Sequence, residues 1–592
     1  MSPGARRTSP EPFPPQVLGS YAFIADGERG CLIGPRGDVA WMCAPSWDSD
    51  AVFASLIGGP GVYAVTPGAS FTWGGYYEAE SLIWRSRWVT HAGAIECREA
   101  LAFPADPDRV VLLRRLTSPE TPQDVDLVLA PRASFGRDHL RDVHRHGRTW
   151  TATTGNAWMR WQGPEGVHLS TDGADPEWRA RMLVMPGEPI DLVLELATRP
   201  FDDEPVEPET AWDATAEAWV RERLNLDDTL DPKGASLAHA VMRGLTSAGG
   251  GMVAAATTSL PERAEQGRNY DYRYVWIRDQ AYAGQAAAAA GGLSLLDGAV
   301  RFITARLLED GPHLAPAYRI DGTAIPDQRS LDLPGYPGGY DLVGNHVNAQ
   351  FQLDAFGESL LLLAAAASHD RVGPDSFRAA QVAAAAIDAR WQEPDAGIWE
   401  IDNRLWTHSR LICAAGLRQA ARALGGHGTP DAAQWSALAD RIVAATANAS
   451  THPDGYWQRS PDDSAIDAAL LFPALRGAIP ADDPRSSATL HAVLDQLTQD
   501  GYAYRFRHGN LPLAHAEGSF TLCGFATALA LHQQGEVLEA ARWFERTARC
   551  TGSTGIHAEE WDVDEHQMRG NLPQAFVHAL HLEAAVRLAG AP

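Results

Sequence analysis

Glu400 and Glu559 are the two residues of this chain best suited to acid–base work as a pair. Glu400 ends the stretch Gly397-Ile398-Trp399-Glu400, and Glu559 lies in His557-Ala558-Glu559-Glu560-Trp561. Each stands near a tryptophan, in a turn-rich segment between helical runs. Breaking a sugar acetal needs one protonated carboxyl to drive out the leaving oxygen. It also needs one carboxylate to activate water or attack carbon. A carboxyl beside an indole loses solvation, which raises its pKa as a general acid requires. The plain structural readings are a helix-initiating Glu400 near a dipole end and a surface acid pair at 559–560. The chemistry requires that the two carboxylates face one another.

Other clusters could hold what such carboxylates act on. Asn269 to Asp279 packs three tyrosines, a tryptophan and an Arg-Asp pair into eleven residues. Aromatic faces such as Tyr272 and Trp276 stack on a pyranose, and Arg278 with Asp279 offers donors and an acceptor for vicinal hydroxyls. An Arg-Asp ion pair capping a helix is the equal structural reading. Arg505, in Tyr504-Arg505-Phe506-Arg507, could hold a further hydroxyl. Glu517 could bind beside it or cap a helix. Glu559 and Glu560 are adjacent and point in different directions, so one of them at most reaches a shared site as a base. No HExxH, phosphate-cradling GxxxxGK[ST] or GxSxG elbow is present. Asp562, Asp564 and Glu565 lack the ligand order of an EF-hand, and no metal site is expected. His144 and His146 read as surface residues rather than ligands.

The elements that must position these residues follow two patterns. Up to about residue 205 the period is two. Val110-Val111-Leu112-Leu113, Val125 to Leu129 and Ile190 to Leu194 read as strands, with Gly and Pro clusters between them. An antiparallel β-sandwich is expected over 1–208. Asp202 to Pro208 closes that half, and a linker helix is expected within 209–232. From 233 to 592 the chain is helical, with alanine-rich runs such as Gln285 to Ala290, Leu360 to Ala367 and Ala526 to Ala530. Roughly eleven or twelve helices, paired at about 50–60 residues per pair, suit a closed (α/α)6 barrel or a linear solenoid. Loops rich in Trp, Asp and Arg favour the barrel, because a plain scaffold has no use for them.

Bulk properties narrow the function further. The 592 residues exceed one ordinary core, and 45% of them are hydrophobic. A net charge of −26 leaves no basic footprint for nucleic acid or an anionic membrane. The six cysteines form no CxxC pair and suit a reduced compartment. No apolar run follows the N-terminal arginines, so neither a signal peptide nor a membrane span is expected, and a cytoplasmic location is the default.

Taken in order, these clusters resemble glycoside hydrolase family 15, the glucoamylase-like enzymes, over nearly the whole chain. Tyr21-Ala22-Phe23-Ile24-Ala25-Asp26-Gly27, Asp38-Val39-Ala40-Trp41 and Asp48-Ser49 resemble the family's opening. Thr257 to Glu262, then Asp271 to Asp279, are similar to the start of its barrel. Glu517-Gly518-Ser519-Phe520 and Gly570-Asn571-Leu572-Pro573-Gln574-Ala575-Phe576 are similar to its last two loops. The resemblance implies a β-sandwich ahead of an (α/α)6 catalytic barrel. It also implies exo-acting hydrolysis of α-glucosides with inversion. It makes Glu400 the general acid and Glu559 the general base. Tyr272, Trp276, Arg278, Asp279, Trp399 and Arg505 would line the pocket of the terminal sugar, with Glu517 and Glu560 as further binding residues. No cofactor is needed.

The loop ahead of Gly344-Asn345 departs from the family pattern. Gly335 to Val343 carries no Arg, and this bears on the leaving-group sugar. The expected substrate is a short α-glucoside that releases β-glucose from its non-reducing end. Trehalose is the alternative, in a closed pocket for two sugars. A non-catalytic carbohydrate-binding protein and a helical scaffold are the readings from other classes. The linkage, the second sugar and the oligomeric state, a homo-oligomer included, stay open.

Overall fold

A computed structural model describes residues 13–170, 176–263, 270–425 and 431–590. Asn269 and residues 1–12 lie outside them. The described residues within Met1–Val220, Ser259–Gly267 and Ser330–Asp341 form one compact unit, and those within Arg221–Thr258, Arg268–Arg329 and Leu342–Pro592 form a second.

The first unit is antiparallel β-structure. An eight-stranded sheet runs in the spatial order 140–146, 149–154, 157–162, 190–197, 109–117, 93–101, 84–90 and 71–77. A four-stranded sheet runs 168–170, 177–184, 123–130 and 62–67, and a second four-stranded meander covers 22–53. The period of two is plain in Glu177–Val184, where Trp178, Ala180, Met182 and Val184 are buried and the alternate Arg179 and Arg181 are exposed. Leu127 pairs with Ala180 and Leu129 with Trp178 across the ladder. Trp178 then meets Trp150 and Trp161 of the large sheet, each at 6.0 Å between ring centroids, so the two sheets share one core. A helix, α1 (Pro208–Arg221), follows the last strand. It buries Trp212 and Trp219, the latter stacked on Phe103 at 4.5 Å.

The second unit holds the remaining helices: α2 (Pro232–Leu245), α3 (Ile277–Ala290), α4 (Leu293–Asp310), α5 (Asp354–Ala367), α6 (Pro374–Arg390), α7 (Thr407–Gly425), α8 (Ala432–Ser450), α9 (Phe472–Leu475), α10 (Pro484–Gln496), α11 (Thr521–Gln533), α12 (Val537–Ala548) and α13 (Ala575–Arg587). Helix α3 packs on α5, α5 on α7, α7 on α9, α9 on α11, α11 on α13, and α13 back on α3. The inner ring is therefore closed. Its members are built to be buried: α5 and α11 are inaccessible over almost their whole length. The outer helices are amphipathic. In α12 the buried residues Ala540, Trp543, Phe544 and Thr547 recur at three- and four-residue steps, as one helical face must.

All six cysteines are free and buried. Among the described residues no helix is long and apolar enough to cross a membrane.

Candidate active site

The segment ahead of α3 shows how the ring presents side chains. Ala254 N–H donates to Tyr274 O and Ala255 N–H to Tyr272 O, which holds residues 270–276 extended. Alternate side chains then face opposite ways. Asp271 and Arg273 form a buried ion pair at 2.7 Å, and Asp271 also accepts the Gly344 N–H. Tyr270, Tyr272 and Trp276 point into a cavity of about 270 Å³. Loops and first turns at the N-terminal ends of α3, α5, α7, α11 and α13 supply most of its wall. The positive ends of those helix dipoles converge there, which favours carboxylates.

Glu400 and Glu559 both line this cavity. Glu400 accepts hydrogen bonds at Oε1 from Trp276 Nε1 at 2.8 Å and from Arg278 Nη2 at 3.3 Å. Its Oε2 accepts none among the described residues. Its backbone has φ of +54°, a left-handed conformation that costs a non-glycine residue about 1–2 kcal/mol. Strain of this kind collects at functional sites. Glu559, at 3% exposure, accepts at Oε1 from the Tyr272 hydroxyl at 3.0 Å. Its Oε2 is met by Gly570, where an added Cβ would lie 2.9 Å away. Tyr272 and Trp276 touch edge to face at 5.5 Å between centroids. The two carboxylates are therefore held at opposite ends of a two-ring bridge, apart from one another and facing one space.

Arg278 also bonds Gln352 Oε1 at 2.9 Å and Asp354 Oδ2 at 3.1 Å, so its guanidinium is fixed from behind. Asp279 is buried on the cavity wall. Burial pushes its carboxyl up to about 7, against the pull of Arg278 and with a further push from Glu400. Trp399 lines the cavity but its indole N–H goes to Asp467 Oδ1 at 2.8 Å. The indole that touches the Glu400 carboxylate is thus Trp276, not the chain neighbour Trp399.

Arg505 reaches the cavity over the face of Phe520, 4.5 Å from its centroid. Glu517 and Glu560 do not line the cavity. Both are buried, and both bond the Arg505 guanidinium, at 2.5 and 3.4 Å. Burial alone would raise the Glu517 carboxyl, but Arg505 and His508 outweigh it and hold it down. Glu560 alternates with Glu559 at the edge of the short strand Glu560–Asp562, which turns its carboxylate to the Gly518 N–H at 2.8 Å. Asp562 accepts the N–H groups of Asp564 and Glu565 and ion-pairs with Arg569, so its carboxylate organises a turn.

Several wall residues escape the sequence reading. Tyr282 lies one helical turn after Arg278, and that spacing could have found it. Asn345, Ile398, Phe520, Gln574 and Phe576 lie inside the quoted motifs without being singled out there, and His346 carries no such signal. Residues 335–341 belong to the first compact unit, and Asn345 and His346 of the second line the cavity.

The sequence matches the family model described as glycosyl hydrolases family 15 over residues 237–586. The chain belongs to this family. Residues 15–219 of this family 15 member match a second model, described as trehalase-like, N-terminal. The chain is 32% identical to a trehalase of Mycobacterium tuberculosis, over 98% of this chain and 90% of that protein. It is equally 32% identical to a trehalase of Mycolicibacterium smegmatis, over 98% and 92%. Its fold is similar to that of a bacterial glucoamylase crystallised with acarbose, with a TM-score of 0.72 at 15% identity, covering 98% of this chain and 94% of that one. As a family 15 member, the protein is a glycoside hydrolase.

Proposed function

We propose that this glycoside hydrolase cleaves α,α-trehalose with inversion, Glu400 acting as general acid and Glu559 as general base. The observation that carries the substrate is the end-to-end match to two relatives named trehalase, which spans both units. It favours trehalose over a longer α-glucoside, and a cavity of about 270 Å³ suits a small sugar better than a polymer.

One glucosyl ring occupies the space between the carboxylates. Trp276 and Arg278 occupy Oε1 of Glu400, which leaves Oε2 to give its proton to the bridging oxygen. Tyr272 orients Glu559 to draw a proton from a water on the opposite face of the ring. An inverting pair stands about 6.5–9.5 Å apart to admit that water, and the hold of each carboxylate by a different aromatic ring supports a separated pair. Arg278 and Asp279 grip hydroxyls at the closed end, while Trp399 and Arg505 line the remaining wall. No step calls for a cofactor.

Proton NMR of trehalose hydrolysis tests this reading. Inversion yields one β-glucose and one α-glucose per bond at early times. Two α-glucoses would overturn inversion. Cleavage of maltose, isomaltose, kojibiose or nigerose with trehalose untouched would overturn the substrate.

A further inference from the structure

Three imidazoles and a carboxylate form a chain behind the loop that carries Glu559. His557, His578 and His581 are all at most 3% exposed, and none lines the cavity. His557 Nε2 is 3.0 Å from His581 Nδ1, and His581 Nε2 is 3.3 Å from Oδ2 of Asp231. Asp231 is the N-cap of α2, its other oxygen accepting the Gly234 N–H at 3.0 Å. Gly234 is what admits this contact, since a Cβ there would lie 2.1 Å from Asp231 Oδ2 and 2.7 Å from His581 Cε1. Phe525 stacks on His581 at 5.0 Å and meets His557 edge-on.

The backbone of His557 is gripped on both sides. Its N–H donates to His578 Nε2 at 3.2 Å, and its carbonyl accepts the Gln574 N–H at 3.0 Å. His578 Nδ1 in turn donates to the Gln574 carbonyl at 2.7 Å, which fixes its tautomer. For the relay, His557 Nε2–H donates to His581 Nδ1 and His581 Nε2–H donates to Asp231. The Cys550 carbonyl, 3.3 Å from His557 Nδ1, competes for that proton at longer range. Glu559 is two residues beyond His557, so whatever holds His557 sets where the carboxylate stands.

We infer that Asp231, His581 and His557 are positioning residues that hold Glu559 in its working place, through a hydrogen-bonded relay running from the cap of α2 to the catalytic loop. The inference rests on Glu559 being the base. Such a relay explains why polar rings occupy a site between α11 and α13 that packing alone would fill with apolar side chains.

The test compares His581→Leu with His581→Gln on the full chain, with trehalose as substrate and thermal melting as a control for folding. A glutamine amide can accept from His557 and donate to Asp231, so it preserves the relay without a ring. His581→Leu should lower kcat by about 10- to 100-fold with KM within about twofold, as expected when a catalytic group shifts by a fraction of an ångström. His581→Gln should keep most of the rate. In a Glu559→Gln background His581→Leu should cost nothing further, because it acts through the missing carboxylate. Equal losses in both His581 variants, losses that multiply in the double variant, or a raised KM with kcat intact would each overturn the relay. Should His581→Leu fail to fold, Gly234→Ala puts a Cβ against both the Asp231 carboxylate and the His581 ring while leaving every side chain of the relay present, and an unchanged kcat there would overturn it equally. An unimpaired Glu559→Gln would sink the base assignment and the relay together. An impaired Glu559→Gln beside an unimpaired His581→Leu would sink the relay alone.

Discussion

Replacing Trp276 by phenylalanine isolates one hydrogen bond in the proposed acid's surroundings. The indole Nε1 donates to Glu400 Oε1 at 2.8 Å, shorter than the 3.3 Å contact from Arg278. Phenylalanine keeps an aromatic ring against Tyr272, whose hydroxyl orients Glu559, so the base side stays in place. What is lost is a hydrogen bond to an ionisable group, worth about 1.5–3 kcal/mol when that group is charged. If that bond is present in the transition state, kcat/KM falls by roughly 10- to 100-fold. The remaining Arg278 contact keeps the loss below that of removing the carboxyl itself, about 10²–10⁴ for a positioned acid. Steady-state kinetics of Trp276→Phe, Glu400→Gln and the double variant on trehalose measure both terms. The single losses should not multiply, since the indole works through the carboxylate. A Trp276→Phe enzyme within about twofold of the wild type would refute the reasoning. So would a double variant whose loss equals the product of the single losses.

Further outcomes follow from the same geometry. Gly570→Ala places a Cβ 2.9 Å from Glu559 at a φ of +77°, so the carboxylate must withdraw or the loop must move, and kcat should drop about tenfold. A wild-type kcat with only a lowered melting temperature would show that this approach does not position Glu559. Two working carboxyls give a bell-shaped dependence of rate on pH, and a flat profile would remove the pair. Asp279, pushed up to about 7 by burial, is protonated below that pH and ionised above it, so kcat/KM should rise as pH climbs through about 7. Asp279→Asn should abolish that limb if the carboxylate grips a hydroxyl. Burial holds His408 down at about 4, and neither of its nitrogens has a hydrogen-bond partner among the described residues. Its folded-state pKa lies below the unfolded value of about 6.5, so its titration costs no stability above that pH, and stability is lost as pH falls toward about 4. His408→Leu should flatten the fall of melting temperature across that window.

The architecture was legible because burial leaves a period in the sequence. Val125 to Leu129 alternates and is a strand, and the alanine-rich run ending at Ala290 is a helix. The family motifs located the cavity wall because they lie in loops at one end of the ring, where residue type answers to substrate rather than to packing. Partner choice was not legible. Trp399 is next to Glu400 in sequence, yet Trp276, more than a hundred residues earlier, makes the contact, since the segments leading into two inner helices, α3 and α7, meet at the cavity. Glu517 and Glu560 look like ligands in sequence and stand behind Arg505 instead. Neither fact has a local signal, because each depends on which way a side chain leaves a short strand. The His557–His581 pairing was equally silent, a contact across separate elements that only the closed ring creates.

That closure bears on how the molecule is made. Helix α13 lies against both α3 and α11, so the ring stays open until this member is in place. The Glu559 loop depends on the same helix for the grip of Gln574 and His578. A chain emerging from the ribosome would carry its β-structure and most of its helices well before it could cleave a sugar. Catalytic competence would arrive only when α13 has emerged, seats and shuts the wall.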